Sequence, residues 1–317
     1  MTEVPHALVI TGPTTSGKTA LSLELARRLQ GEVVSMDSRQ VYRTMDIGTD
    51  KVLPRERAGI PHYGIDLVDP DERYSAGQFA RDARRWIREI RGRAHVPVVV
   101  GGTGFFLRAL LNPLFAEPEV DPERRQRLRH YLGNQETDFL VRWARALDPN
   151  RAELAAQGGA QRLSRTVEVP LLTGRALSWW HREGAAEAPA VPCLVVVLEL
   201  PREELDRRID ARVGRMVERG FLDEVRGLLD RGYGPDDPGF TGTGYREVAQ
   251  ALAGDLDLEQ ALERMRLQTR QYARRQLTWF RNQLPDHVLR LDARLPMEER
   301  ASRVEARWTA HQTGEVG

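Results

Sequence analysis

A chain of 317 residues, 41% apolar and 29% charged, is long enough to bury a large core and reads as globular rather than disordered. Its single cysteine, Cys193, excludes an internal disulfide and a cysteine-rich zinc site, and sits in an apolar run as a buried structural thiol would. The longest apolar runs, Val191–Leu200 and Val96–Val100, are too short to span a bilayer, and no basic-then-apolar leader precedes the first strand, so a cytoplasmic protein without membrane contact is expected.

Taken in chain order, Ala7–Thr11 reads as an apolar strand that runs into a glycine-rich turn. Thr19–Leu29 has helical spacing, with Leu21, Leu25 and Leu29 on one face. Glu32–Ser35 is a second strand, Phe79–Arg91 a helix, Val96–Val100 a buried strand, and Phe105–Leu111 the start of another helix. This alternation predicts a parallel α/β sheet flanked by helices on both faces. Between about Pro118 and Pro189 the pattern is helical only, which predicts an inserted all-helical subdomain over 118–189 within a core of 1–117 and 190–317. Leu194–Leu200 is a further strand. After Pro201 the chain reads as mostly helical, with a turn-rich break at Gly232–Gly244 and a frayed tail from about His311.

The net charge of +1 conceals two basic segments. Asp121–Arg182 holds 11 Arg against 7 acidic residues, and Leu262–Arg281 holds 6 Arg against one Glu. Either an anionic partner or a solvated arginine face accounts for them. Only Lys18 and Lys51 are lysines among 47 basic residues, so lysine at position 18 suggests a site that wants a compact ammonium.

The segment Gly12–Thr19, GPTTSGKT, matches the phosphate-loop pattern in full and lies between a strand and a helix. Gly12 and Gly17 let the backbone curl, so that N–H groups through Thr14, Thr15 and Ser16 point at phosphate oxygens. The helix start adds its dipole, Lys18 supplies a point charge, and the Thr19 hydroxyl is placed for a bound Mg²⁺. Such loops mostly serve nucleotide hydrolysis or kinase chemistry, which usually needs an acid at the end of a sheet strand. Here Val96–Val100 ends in Gly101-Gly-Thr-Gly104 instead. Asp37 follows the second strand, on the edge where doubly wound sheets bind ligands. It could hold metal, accept a proton from a nucleophile, or cap a turn. Gly101–Gly104 reads either as a close-approach loop presenting Thr103 or as a plain strand-to-helix turn.

Together these motifs resemble the bacterial tRNA dimethylallyltransferases, or tRNA isopentenyltransferases. The match runs through Gly12–Thr19, Asp37–Thr49, Pro61 and His62, Tyr74 and Ser75, Gly101–Leu111, Gln161–Glu168, Gly244–Glu247 and Thr269–Arg281, in the family's order. The resemblance implies a P-loop NTPase-like core whose loop holds the diphosphate of dimethylallyl diphosphate, with Mg²⁺, rather than ATP. It implies a monomer that transfers the dimethylallyl group to the exocyclic amine of adenosine 37 of tRNA. Asp37 would take the amine's proton, Thr103 would lie near the base, and Arg212, with Arg215 as its rival, would neutralise the leaving diphosphate. Contact with tRNA would fall on Asp37, Ser38, Arg39, Gln40 and Thr103. It would extend to Arg125 and Gln161, Arg162, Leu163, Ser164 and Arg165 in the helical insertion. Gly242, Thr243, Gly244, Tyr245, Arg246 and Glu247 would complete it.

Two features depart from the family pattern. Phe105 and Phe106 stand where a Leu-Tyr pair is usual, and Gly158-Gly159-Ala160 replaces a more polar stretch. On the C-terminal basic segment Arg270 and Arg274 share a helix face, while Tyr272 and Trp279 read as packed aromatics. A small-molecule or nucleoside kinase on the same core, and a non-catalytic RNA-binding module, are the rival readings.

Overall fold

The computed structural model describes residues 6–115, 120–184 and 186–314. It divides into two compact units, one of residues up to 112 together with those from 190 onward, the other of residues 113–189. The expected boundary at 117/118 lies outside the described residues.

The chain opens with β1 (Ala7–Thr11), α1 (Lys18–Arg28), β2 (Gly31–Ser35), β3 (His62–Tyr63), α2 (Ala76–Gly92), β4 (Val96–Val100) and α3 (Gly104–Leu111). The second unit holds β5 (Leu114–Phe115), α4 (Pro122–Gly133), α5 (Thr137–Leu147), α6 (Pro149–Gln157), α7 (Ala160–Thr173), α8 (Leu177–Glu183) and β6 (Ala186–Ala188). The first unit resumes with β7 (Cys193–Glu199), α9 (Arg202–Glu218), α10 (Phe221–Asp230), α11 (Tyr245–Ala253), α12 (Leu258–Gln283), β8 (Leu289–Asp292) and α13 (Met297–Thr313).

Six strands form one parallel sheet in the order β3-β2-β4-β1-β7-β8. Leu8 lies opposite both Val98 and Leu194, so the central strands are in register across the sheet. Because side chains alternate between faces, each strand feeds two cores. Leu8, Ile10, Val98 and Val196 pack with Leu21, Leu25, Ile209 and Trp308. Ala7, Val9, Val99 and Val197 pack with Phe79, Ile87, Phe106 and Phe280. A third cluster joins Tyr42 and Met45 to Phe221, Phe240, Tyr245 and Met265 beyond the sheet edge.

After Pro201 the chain is mostly helical, as expected, and Leu289–Asp292 adds β8 beside β7, with Val196 opposite Leu289. Two expectations are corrected. His311 is not in a frayed tail but in α13, which packs through Val304 and Trp308. The inserted unit is not all-helical, since β5 and β6 pair antiparallel near its two ends. Helices α4 to α7 enclose Leu132, Leu140, Ala144, Ala155 and Leu163. Helix α2 begins earlier than its apolar spacing suggests because Ser75 and Gln78 form a reciprocal cap, with bonds of 3.2 and 2.8 Å. Cys193 is only partly buried by area, yet burial pushes its thiol up to about 12, so it stays protonated.

At the β3 side of the sheet, buried Glu32 is held by Tyr63 Oη at 2.8 Å, by Arg93 at 2.8 and 3.0 Å, and by His95 Nδ1 at 2.7 Å. Burial opposes ionisation of Glu32, but the hydrogen bonds from Arg93, Tyr63 and His95 outweigh it and bring the carboxyl down to about 2. Above the ordinary value of 4.5 both folded and unfolded chains are ionised, and the stabilisation is fully present. As pH falls from there toward about 2 the unfolded chain protonates first, and the stabilisation is lost. Glu32→Gln should therefore melt lower at neutral pH but lose less Tm between pH 5 and pH 3, as thermal denaturation across that range would show.

Candidate active site

Three loops leave the carboxyl ends of β1, β2 and β4 side by side. The Met36 N–H donates to Val100 O at 2.7 Å and the Gly101 N–H to Ile10 O at 3.2 Å, so ladder-like pairing continues past the strands. Thr11 Oγ1 then donates to Gly101 O at 2.8 Å.

The first loop, residues 12–17, turns through Gly12 (φ 147°), Thr15 (φ 63°) and Gly17 (φ 82°). At Gly12 a Cβ would stand 2.6 Å from Leu198 O, so no larger residue fits without backbone movement. Lys18 Nζ donates to Pro13 O at 2.6 Å. Burial lowers its ammonium to about 8, Asp37 raises it, and Arg212 lowers it further. The buried hydroxyls Thr15 Oγ1 and Ser16 Oγ have no hydrogen-bond partner within the protein. A half-buried cation and orphaned hydroxyls suit a multiply charged phosphate, while the N–H groups of Thr14 and Ser16, expected to point at it, are taken by Gln276 Oε1 at 2.9 Å and Pro13 O at 3.3 Å.

Helix α9 lies over this loop. Arg212 Nη1 donates to Thr14 Oγ1 at 3.0 Å and stands 3.3 Å from Asp50 Oδ2, while Arg208 Nη1 reaches Thr15 O at 3.5 Å. Arg219 pairs with the other Asp50 oxygen at 3.3 Å. Arg215 is exposed and borders the cavity that Arg212 also lines. Of the two rivals, Arg212 is the one that touches the phosphate loop.

The second loop carries Asp37. Its Oδ1 accepts the Arg39 N–H at 2.8 Å, a local turn rather than a helix cap. Arg39 is tied to Thr241 Oγ1 at 2.5 Å and Pro238 O at 3.4 Å. Gln40 accepts from Ser35 Oγ at 2.9 Å and donates to Asp50 O at 3.3 Å. The third loop carries Thr103, which occupies the N-cap of α3 but makes no cap bond. Its Oγ1 accepts the Ser38 N–H at 3.1 Å and lies 3.4 Å from Ser38 Oγ, joining second and third loops. Lys18, Thr19, Asp37, Asp50, Arg212 and Arg215 all border one cavity of about 650 Å³.

Several expected RNA contacts have other duties. Tyr245 is fully buried and donates its hydroxyl to Glu224 at 2.7 Å. Glu247 is buried, accepts the Gly244 N–H at 3.1 Å at the start of α11, and is held by Gln268 at 2.6 Å. Leu163 is wholly within the core of the second unit. These three side chains are structural. Gly242 and Thr243 border the cavity, the Gly244 backbone is buried, and Arg246 is exposed, donating to Pro235 O at 2.8 Å. In the second unit Arg125, Arg129 and Arg165 converge on buried Glu168 at 3.6, 2.9 and 2.9 Å, with Gln161 and Arg162 exposed and Ser164 half-buried beside them. Arg270 and Arg274 pair with Asp210 (2.5 Å) and Asp206 (3.2 Å) of α9.

Some site residues escaped the sequence reading. Tyr272, expected to be packed, borders the cavity, and burial and then Asp37 push its hydroxyl up to about 12. Trp279 does pack, against Gly104. Gln276 accepts the Thr14 N–H at 2.9 Å and donates to Gly102 O at 2.8 Å. Its signal was a lone amide on the buried stripe of Met265, Thr269, Ala273 and Phe280. Phe106 stacks on Phe79 at 4.5 Å, and Phe105 is 58% exposed.

Among the described residues no group of three or more His, Cys, Asp or Glu side chains is arranged to hold a metal. Mg²⁺ bound with phosphates needs only one or two protein oxygens beside water. The exposed Thr19 hydroxyl, with Asp37 and Asp50 on the same cavity wall, suits that mode.

The family model described as IPP transferase matches residues 40–283, and one described as isopentenyl transferase matches residues 5–63. The tRNA dimethylallyltransferase of Thermomicrobium roseum is 44% identical over 282 residues, which is 89% of this chain and 85% of the relative. That of Syntrophobacter fumaroxidans is 43% identical over 88% of this chain and 81% of its own length. Among solved structures, the full-length tRNA isopentenylpyrophosphate transferase of Bacillus halodurans superposes with a TM-score of 0.70 at 34% identity, covering 98% of this chain and 100% of that one. A eukaryotic dimethylallyltransferase acting on tRNA superposes with a TM-score of 0.81 at 30% identity, covering 96% of this chain and 77% of that one. With its phosphate loop, its parallel sheet and these matches along most of its length, the chain belongs to the IPP transferase family.

Proposed function

We propose that this protein prenylates tRNA, moving a dimethylallyl group from dimethylallyl diphosphate to the exocyclic amine of adenosine 37. The observation that carries the reading is the single cavity shared by the phosphate loop, Arg212 and Asp37. It offers an anion site and a carboxylate to one reaction, and the relatives are named for that reaction.

The amine nitrogen attacks the allylic carbon, the bond from that carbon to the diphosphate oxygen breaks, and the amine proton passes to Asp37. An aromatic amine is a weak nucleophile, so the leaving group must be strongly stabilised. Lys18 and Arg212, both bordering the cavity beside the phosphate loop, present positive charge to it. Mg²⁺, held through Thr19, supplies further positive charge to the diphosphate when bound. Asp37 spends one oxygen on the Arg39 N–H and keeps the other for the proton. Thr103 holds Ser38, and so fixes the loop that presents Asp37. The target base has to leave its stack to enter, at a cost of a few kcal/mol.

Arg125, Arg162 and Arg165 of the second unit, with Gln161 and Ser164, supply cationic and polar surface for the RNA backbone there; on the first unit Thr243 and Arg246 are the candidate contacts. The protein acts in the cytoplasm, where its RNA is, and as a monomer. No described helix is long and apolar enough to cross a membrane. The exposed large apolar side chains among the described residues, Phe105, Tyr131, Leu154, Leu258 and Leu267, are spread over four helices.

The purified protein should incorporate labelled dimethylallyl groups into tRNA carrying adenosine 37, and excess ATP should be neither consumed nor inhibitory. Asp37→Ala should lower turnover by ~10²–10⁴-fold, the range for a lost general base, while gel-shift affinity for tRNA stays within about threefold. Arg212→Ala should lower kcat by ~10²–10³-fold, as for one lost donor to a developing anion, and Arg215→Ala by less than about tenfold. Rapid-quench transfer assays on both variants would reveal a reversed order, which would reassign the arginine.

A further inference from the structure

We infer that Gln276 is a positioning residue that sets the spacing between the donor loop and the acceptor loop. The inference rests on the proposed prenyl transfer. Gln276 projects from α12 and is 6% exposed. Its two ends engage different loops: Oε1 takes the Thr14 N–H at 2.9 Å, and Nε2 gives to Gly102 O at 2.8 Å. A backbone donor on one side and a backbone acceptor on the other fix the orientation of the amide. Gly102 matches it in shape, since a Cβ there would lie 2.3 Å from Gln276 Nε2.

The two loops carry opposite halves of the reaction. Thr14 belongs to the loop that receives the diphosphate and also binds Arg212. Gly102 precedes Thr103, which holds Ser38 and with it the loop of Asp37. Thr11 Oγ1 ties the same two loops at their roots. Gln276 ties them near their tips, where the separation of leaving group and nucleophile is decided. Its buried neighbours on α12 need no such bridge: Ala273 and Phe280 are apolar, and Thr269 satisfies its hydroxyl on Met265 O at 2.7 Å. The amide is therefore retained for what it joins rather than for the packing of the helix.

The test breaks the bridge from both ends. Gln276→Met keeps the volume and removes both hydrogen bonds; Gly102→Ala pushes the amide away by its added methyl group. Each single variant should lose about 10²-fold in kcat at saturating donor and tRNA, the scale of a misplacement of about 1 Å. The affinity for inorganic pyrophosphate with Mg²⁺, read by calorimetry, should change by less than about threefold, because the phosphate loop itself survives. The double variant should be no slower than the slower single one, since both remove one bridge. The inference is overturned if both variants keep kcat within about threefold of the parent, if pyrophosphate affinity falls in step with kcat, or if the two losses multiply. Should Gln276→Met not fold, Gly102→Ala alone decides by the same kcat and pyrophosphate criteria. A parent protein that transfers nothing would instead refute the prenyl-transfer reading and leave the bridge to be judged by pyrophosphate affinity and thermal melting.

Discussion

The hydroxyl of Thr11, at the last position of β1, donates to the carbonyl of Gly101 just past β4. Through that 2.8 Å bond two loops are rooted at neighbouring points of one sheet edge. A parallel sheet supplies such an edge because all its strands point the same way, and their carboxyl ends carry loops rather than tight hairpins. Here the arrangement sets the loop after β4 between the anion-receptive turn after β1 and the loop after β2 that carries Asp37, and bonds it to both. Neither part could be moved to another strand end without losing the other.

The positive charge around that edge is regulated as much as it is supplied. Lys18 is half-buried on the cavity wall, and its ammonium is lowered by desolvation and by Arg212 against the opposing pull of Asp37. Asp50 stands between Arg212 and Arg219, so the arginines are held in place by a carboxylate before any phosphate arrives. Lys51, the other lysine, has an unrelated task. It is buried and bonded to Asp46, Asp66 and the Tyr42 carbonyl, each at 2.6–2.8 Å, and so pins the long segment between β2 and β3. An isolated buried ammonium would be costly, but three short bonds compensate it.

Much of this was legible beforehand, and the failures have physical causes. The phosphate loop, the central strands and the helices beside them follow from glycine placement and apolar period, which are local signals. Short β3 and β8 were invisible because two or four residues carry too little pattern, and their pairing partners are far away in sequence. The roles of Tyr245, Glu247 and Leu163 were misjudged because family motifs record which residues recur, not whether a side chain faces solvent or core. Gln276 was missed for the opposite reason: its significance lies in contacts with Thr14 and Gly102, 262 and 174 positions away. The helical unit's basic character was read correctly as charge. That three of its arginines share a single buried glutamate is a tertiary fact.

Glu224 gathers the N–H groups of Asp46, Ile47 and Gly48 at 2.8, 2.6 and 3.1 Å and also receives the Tyr245 hydroxyl. Four donors on one carboxylate weld the tip of the β2–β3 segment to α10 and α11. A rearrangement that widened the cavity mouth would have to carry these pieces together, as one stiff jaw, or strip the glutamate of all four partners at once.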